Sequence, residues 1–178
     1  MTNCYIVSGD DGVCALIDPG DEPEKLLEFL REKKLRCEAV LITHGHFDHV
    51  GGVDMIIGQT GARLVMSPFD EAGVGREIDQ KLEDGSAVVV GSLFFLAIST
   101  PGHSPDGFCY LIGETLFSGD TLFFESVGRT DLPGGDYDTL MTSINKLKAL
   151  GHADLRILPG HMRETTLSHE LKYNPFLK

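Results

Sequence analysis

The sequence is short of positive charge: 27 Asp and Glu stand against 15 Lys and Arg, a formal net charge of −12 over 178 residues. Binding a phosphate backbone needs clustered Lys and Arg, so this balance argues against nucleic acid as a partner, while it does not oppose bound cations. No apolar run approaches the roughly 20 residues of a membrane-spanning helix, so no membrane partner is expected. The opening Met1-Thr2-Asn3-Cys4-Tyr5 lacks a basic segment followed by an apolar one, which leaves no secretory signal and makes cytoplasm the expected location. Repeats, low-complexity stretches and linkers are missing as well. Cysteine is scarce: Cys4, Cys14, Cys37 and Cys109 form no C-x-x-C pair, which removes the usual support for a zinc ribbon or a thioredoxin-like site. Cys4 and Cys14 lie on two strand-like runs around the turn Gly9-Asp10-Asp11-Gly12. With Ser8 opposite Val13, Cys4 falls opposite Ile17, so the two thiols are out of register. Buried, reduced thiols are expected rather than a bridge.

What is present is an ordinary globular composition, 42% hydrophobic and 24% charged, in a chain of single-domain length. Strands are expected at Asn3–Ser8, Val13–Asp18, Ala39–Thr43, Arg63–Met66, Ala87–Val90, Leu93–Ser99, Phe108–Ile112, Thr115–Ser118 and Leu155–Leu158. A helix is expected over Glu22–Lys34, with Asp21 as its cap and Leu26, Leu27 and Leu30 as its apolar stripe. Helical spacing of Tyr137, Leu140, Met141, Ile144 and Leu147 predicts a second over Asp136–Leu150. Short helices are expected up to about Gln59 and over Thr165–Leu171, and a mostly irregular stretch over Ser67–Gly85. Strands interspersed with helices point to a layered α/β domain, with polar motifs at the strand ends.

The chemistry concentrates in His44-Gly45-His46-Phe47-Asp48-His49, directly after the Ala39–Thr43 strand. His44 and His46 can reach one ion from extended backbone, and a bend can send the adjacent Asp48 and His49 to a second position. Three imidazoles and a carboxylate are too many for one catalytic zinc that keeps an open place for water, so the spacing hints at two ions. Three later loops each put a glycine before a polar residue at a strand end: Gly102-His103, Gly119-Asp120 and Gly160-His161. Five of the seven histidines lie in this run or these loops, which sets them apart from scattered, solvated side chains.

These motifs resemble the metallo-β-lactamase superfamily, and within it the small glyoxalase II-like (hydroxyacylglutathione) hydrolases. The resemblance runs through Thr2-Asn3-Cys4-Tyr5, Ile17-Asp18-Pro19-Gly20, Thr43 to Gly52, Pro101-Gly102-His103-Ser104, Gly119-Asp120-Thr121-Leu122-Phe123, Gly128-Arg129-Thr130-Asp131 and Pro159-Gly160-His161. It implies an αββα sandwich over residues 1–178, with the site at one edge of the sheets. It also implies two divalent metal ions: His44, His46 and His103 on the first, Asp48, His49 and His161 on the second, and Asp120 bridging. Zinc is the first expectation, and iron or manganese suit the same His and carboxylate donors. The implied reaction is hydrolysis of a thioester such as S-D-lactoylglutathione by a metal-bridging hydroxide, with Asp48 and Asp120 as catalytic carboxylates. Arg129 falls where such enzymes place a basic residue on glutathione, although pairing with Asp131 or Asp136 is open to it. Asp18 could orient a ligand histidine or shape the turn before Pro19. His152 and His169 match no family position and read as surface residues. The pairs Phe94-Phe95 and Phe123-Phe124 read as core.

Two expected departures loosen the choice of thioester: no C-terminal helical domain of the larger glyoxalase II enzymes is expected after His161, and the start at Thr2-Asn3-Cys4-Tyr5, without the strand relatives usually have before it, is expected of either a minimal version or a shortened N-terminus. A persulfide dioxygenase is the main alternative, using one iron on His44, His103 and Asp120 and sharing the Gly-Arg-Thr-Asp element. A lactonase-type hydrolase is a second.

Overall fold

The computed structural model describes residues 2–70, 74–151 and 155–178. Its first sheet has the order β1 (Tyr5–Ser8), β2 (Val13–Ile17), β3 (Arg36–Leu41), β4 (Arg63–Met66), β5 (Gln80–Lys81), parallel except for the β1–β2 hairpin. The second sheet comprises β6 (Ala87–Val90), β7 (Leu93–Ser99), β8 (Phe108–Ile112), β9 (Thr115–Gly119), β12 (Arg156–Pro159) and β13 (Thr165–Thr166), in the order β13-β12-β9-β8-β7-β6. A small ribbon pairs β10 (Leu122–Phe123) with β11 (Ser126–Val127).

Alternation along the strands builds the layers. Val13, Ala15 and Ile17 of β2 meet Phe95, Ala97, Tyr110 and Phe117 of the other sheet, while Cys14 and Leu16 point the opposite way. There they meet Leu27 and Leu30 of α1 (Pro23–Lys33) and Val53, Ile56 and Ile57 of α3 (Val53–Thr60). Coverage on both faces is why all five β2 residues are buried. On the far side, Leu140, Ile144 and Leu147 of α4 (Tyr137–Lys148) pack on Cys109, Leu116 and Ile157. This is the αββα arrangement expected. Among the described residues no helix is long and apolar enough to cross a membrane.

Parallel strands deliver their ends to one edge. The chain leaves β2 at Asp18, β3 toward His44, β7 toward His103, β9 at Asp120 and β12 toward His161. Backbone bonds tie these exits together: Asp18 N–H donates to Leu41 O (3.1 Å), Phe108 N–H to Thr43 O (2.8 Å) and Gly160 N–H to Gly119 O (2.8 Å).

Several local expectations need correction. Ser8 pairs with Cys14, not Val13, because the Asp11 carboxylate takes the Val13 N–H (3.0 Å) into the turn. All four cysteines are nevertheless free, with Cys4 half-buried and just before β1. Asp21 does not cap α1: its carboxylate accepts the Glu22 N–H (2.8 Å), and Glu22 itself occupies the cap with φ 50°. Phe95 and Phe123 are core, but strand alternation turns Phe94 outward, and Phe124, in the β10–β11 turn, is half-buried. His169 is half-buried rather than a surface residue, and His152 lies outside the described residues.

The terminal helix α5 (Leu167–Tyr173) locks the β10–β11 turn through a fully buried carboxylate. Glu170 accepts from the Thr165 hydroxyl (2.6 Å), the Glu125 N–H (2.9 Å) and Asn174 Nδ2 (2.8 Å), and Asn174 Nδ2 also donates to Ser126 O (3.0 Å). Glu170→Ala removes one shared acceptor from three donors and leaves the buried Thr165 hydroxyl without it. It is expected to cost about 3 kcal/mol or more, read as a lower urea midpoint.

Candidate metal centre

The structure brings all seven sequence-predicted side chains to one spot at the sheet edge. Donor atoms lie within 4.8 Å of one another in each of three groups: His44, His46 and His103; His44, His49 and Asp120; Asp48, His49 and His161. One Asp120 oxygen faces His49 Nε2 (3.5 Å), and the other faces His103 Nε2 (3.5 Å) and His161 Nε2 (3.3 Å). Asp48 Oδ2 lies 3.3 Å from His161 Nε2 and accepts the Thr2 hydroxyl at 2.6 Å. The four-residue helix α2 (Phe47–Val50) bends the chain so that Asp48 and His49 leave the His44/His46 side.

The rings are aimed by their outward nitrogens. Asp18, held at φ 50°, accepts the Thr43 N–H (2.8 Å) and, on its other oxygen, the Thr43 hydroxyl (2.7 Å) and His49 Nδ1 (2.9 Å). Thr43 gives its one proton to that carboxylate, so at 3.0 Å its oxygen accepts from His44 Nδ1. The Arg129 carbonyl accepts from His103 Nδ1 (2.8 Å). Each Nδ1–H therefore points out, and each Nε2 lone pair points into the cluster. Of the two roles open to Asp18, orienting a ligand histidine is present in the geometry. Thr43 and the Arg129 carbonyl escaped the sequence reading. A carbonyl carries no side-chain signature, although Thr43 could have been found from its place between Asp18's strand and His44.

Arg129's own guanidinium forms two 2.7 Å bonds to Asp131, and that hydrogen bonding holds the Asp131 carboxyl down at about 2. In this arrangement its side chain is committed to Asp131, and its carbonyl serves the cluster.

The donors fit a cation. His44 Nε2, His49 Nε2 and Asp120 Oδ1 are buried without a hydrogen-bond partner, the kind of orphaned atoms that a bound ion satisfies. His103 Nε2 and His46 Nδ1 sit 3.0 Å apart. Imidazole and carboxylate donors suit zinc, iron and manganese.

The whole arrangement matches a known family. Residues 1–161 match the metallo-β-lactamase superfamily model. The chain belongs to the metallo-β-lactamase superfamily. It is 31% identical to the hydroxyacylglutathione hydrolase GloC of Haemophilus influenzae, over 98% of this chain and 92% of the relative. Among solved structures it is similar to TTHA1623 in a di-iron-bound form (39% identity, TM-score 0.88, 99% of this chain and 95% of that one). It is also similar to ETHE1 from Myxococcus xanthus (28%, TM-score 0.91, 98% and 78%). Membership of this metallo-hydrolase superfamily makes the chain an enzyme with a His/Asp site for divalent metal.

Burial tunes the superfamily site for loading. It pushes His44 well below the usual histidine range and His103 down to about 4, so both rings are neutral and ready to bind at neutral pH. Burial also pushes Asp120 up to about 6. On His49, burial acts downward, but the Asp18 hydrogen bond and charge outweigh it and hold the ring above its ordinary value. A cation needs Asp120 ionised and His49 Nε2 free, so protons compete with it on the acid side. Metal affinity is expected to fall by about tenfold per pH unit for each proton displaced, first as pH drops below the raised value of His49 and more steeply below about 6, where Asp120 also takes up a proton, and to level off only above both. Calorimetric metal titration from pH 5 to 8 measures this.

Proposed function

We propose that this enzyme hydrolyses thioesters such as S-D-lactoylglutathione at a two-ion centre. His44, His46 and His103 would hold one ion, Asp48, His49 and His161 the other, with Asp120 shared. The observation that carries this reading is the position of Asp120, whose two oxygens face different histidines. Similarity to a hydroxyacylglutathione hydrolase supports the substrate class. When bound, the divalent ions would supply water activated at neutral pH and polarisation of the substrate carbonyl.

The chain's own residues do the rest. Asp18, Thr43 and the Arg129 carbonyl fix the tautomers of three rings, so their lone pairs converge without reorganisation during turnover. Asp48 is held by Thr2 at the more open side, where a substrate carbonyl can approach. No general acid is needed for departure, because a thiolate is a good leaving group.

The test is elemental analysis beside an assay of S-D-lactoylglutathione hydrolysis on the same purified batch. Metal-dependent release of glutathione, lost on chelation and restored by zinc, iron or manganese, is the expected result. One equivalent of iron, with oxygen uptake on glutathione persulfide and no thioester hydrolysis, would replace this reading with the dioxygenase.

A further inference from the structure

A cleft of about 670 Å³ is lined among others by Phe124, Arg156, Arg163, Glu164 and His169. Two of its lining residues stand close in the chain to groups at the metal centre. Phe124 follows Phe123, whose ring stands edge-on to His161 with centroids 6.1 Å apart. Arg163 comes two residues after His161, a stretch that spans at most about 7 Å. Between them Met162, at φ 67°, turns the chain, and its carbonyl accepts from Asn3 Nδ2 at 2.8 Å.

Three observations single out Arg163. Its guanidinium lies 3.6 Å over the Phe124 ring, and that ring stacks on His169 at 5.0 Å and 23°. A guanidinium over an aromatic face is held in place while N–H donors at its edge stay open. The other charges of the cleft are committed: Arg156 pairs with Glu164, and His169 Nε2 with Glu125 (3.0 Å). Among the described residues Arg163 has no hydrogen bond or ion pair, so the cleft carries one uncommitted positive charge in a chain of net charge −12. Arg129, by contrast, already has both arms of its fork on Asp131.

We infer that this cleft receives a carboxylate of the substrate's thiol half, with Arg163 as the bidentate anchor and Phe124 as its platform. The inference deepens the thioester reading and rests on it for the placement of the acyl end at the ions. An acidic chain repels an anionic substrate at long range, and an open arginine beside the site supplies the local attraction.

Two measurements on the metal-loaded protein test the anchor and the reading separately. The first is binding of S-methylglutathione, which has no acyl bond to break. Arg163→Gln is expected to weaken it about tenfold, with Arg163→Lys recovering part of the loss. The second is turnover. Arg163→Gln should raise KM for S-D-lactoylglutathione by a similar factor, leave kcat within about twofold, and leave KM for the lactoyl thioester of neutral N-acetylcysteamine unchanged. Failure of the wild type to bind S-methylglutathione overturns the anchor, as does binding unaffected by Arg163→Gln or an equal KM rise for the neutral thioester. Arg163-dependent binding without any thioester hydrolysis sustains the anchor and removes the hydrolase reading instead.

Discussion

Asp120→Ala is expected to lower thioester turnover by about a thousandfold and to leave the purified protein short of metal. The carboxylate is nearly buried and lies within 3.5 Å of three imidazole Nε2 atoms. In the metal-loaded state, losing this carboxylate leaves the cations short of a buried counter-charge, a loss of about 3–5 kcal/mol, and about 4 kcal/mol is a factor of a thousand in affinity. Asp120→Asn keeps the shape but loses the charge, so it should retain more metal than alanine and still fall far below the native enzyme. The metal-free protein should behave differently. Burial raises Asp120 above the ordinary carboxylate range to about 6. Its ionised form therefore opposes folding, with a cost that grows as pH rises toward 6 and is complete above it. At pH 7 the apo form of Asp120→Ala should melt no lower than native apo protein, which separates lost chemistry from lost fold. Near-native turnover with two ions bound would take Asp120 out of the mechanism.

The sequence was readable wherever burial imposes a period. Leu93–Ser99, Phe108–Ile112 and Arg63–Met66 are strands at the expected bounds, and α4 lies inside the expected Asp136–Leu150. Elements set by tertiary contact were not readable. β10 and β11 have two residues each, too few for a period, and the ribbon is held by Glu170 and Asn174 from the far end of the chain. β5 is likewise two residues, inside the stretch expected to be irregular. The helix α2 hides within the histidine run because its four residues are chosen for their donors rather than for helix formation. The β1–β2 register slipped by one because a single side chain, Asp11, captured a backbone donor. For the site, side-chain clustering in loops sufficed to name the seven residues now found together. What aims them depends partly on a carbonyl, Arg129 O, which leaves no residue-type pattern, and partly on Asp18, for which orienting a ligand histidine was one of two roles open in the sequence. The glycines divide the same way. Gly102 and Gly119 take positive φ, as sharp turns at strand ends require, whereas Gly160 does not and owes its place to space alone.

That distinction makes Gly160→Ala the second large effect. A methyl group there would sit 2.3 Å from Asp120 Oδ1 and 2.7 Å from His49 Cε1. The backbone cannot retreat, because Gly160 N–H donates to Gly119 O at 2.8 Å and Gly160 O accepts the Asn3 N–H at 2.7 Å. The Asp120 carboxylate and the His49 ring must therefore move, and both belong to the proposed ligand set. A misplacement of about 1 Å at reacting groups costs about a hundredfold, so turnover is expected to fall by that order and metal affinity with it. Alanine is compatible with the local backbone, so apo Gly160→Ala should still fold with native circular dichroism. Gly58→Ala provides the control: it lies on α3 with nothing within 4 Å of the new methyl. By helix propensity that substitution should stabilise the chain by up to about 1 kcal/mol and leave turnover unchanged. Undiminished metal affinity and turnover in Gly160→Ala would mean that the cluster tolerates displacement of Asp120 and His49. The tight packing behind them would then have no part in holding the ions.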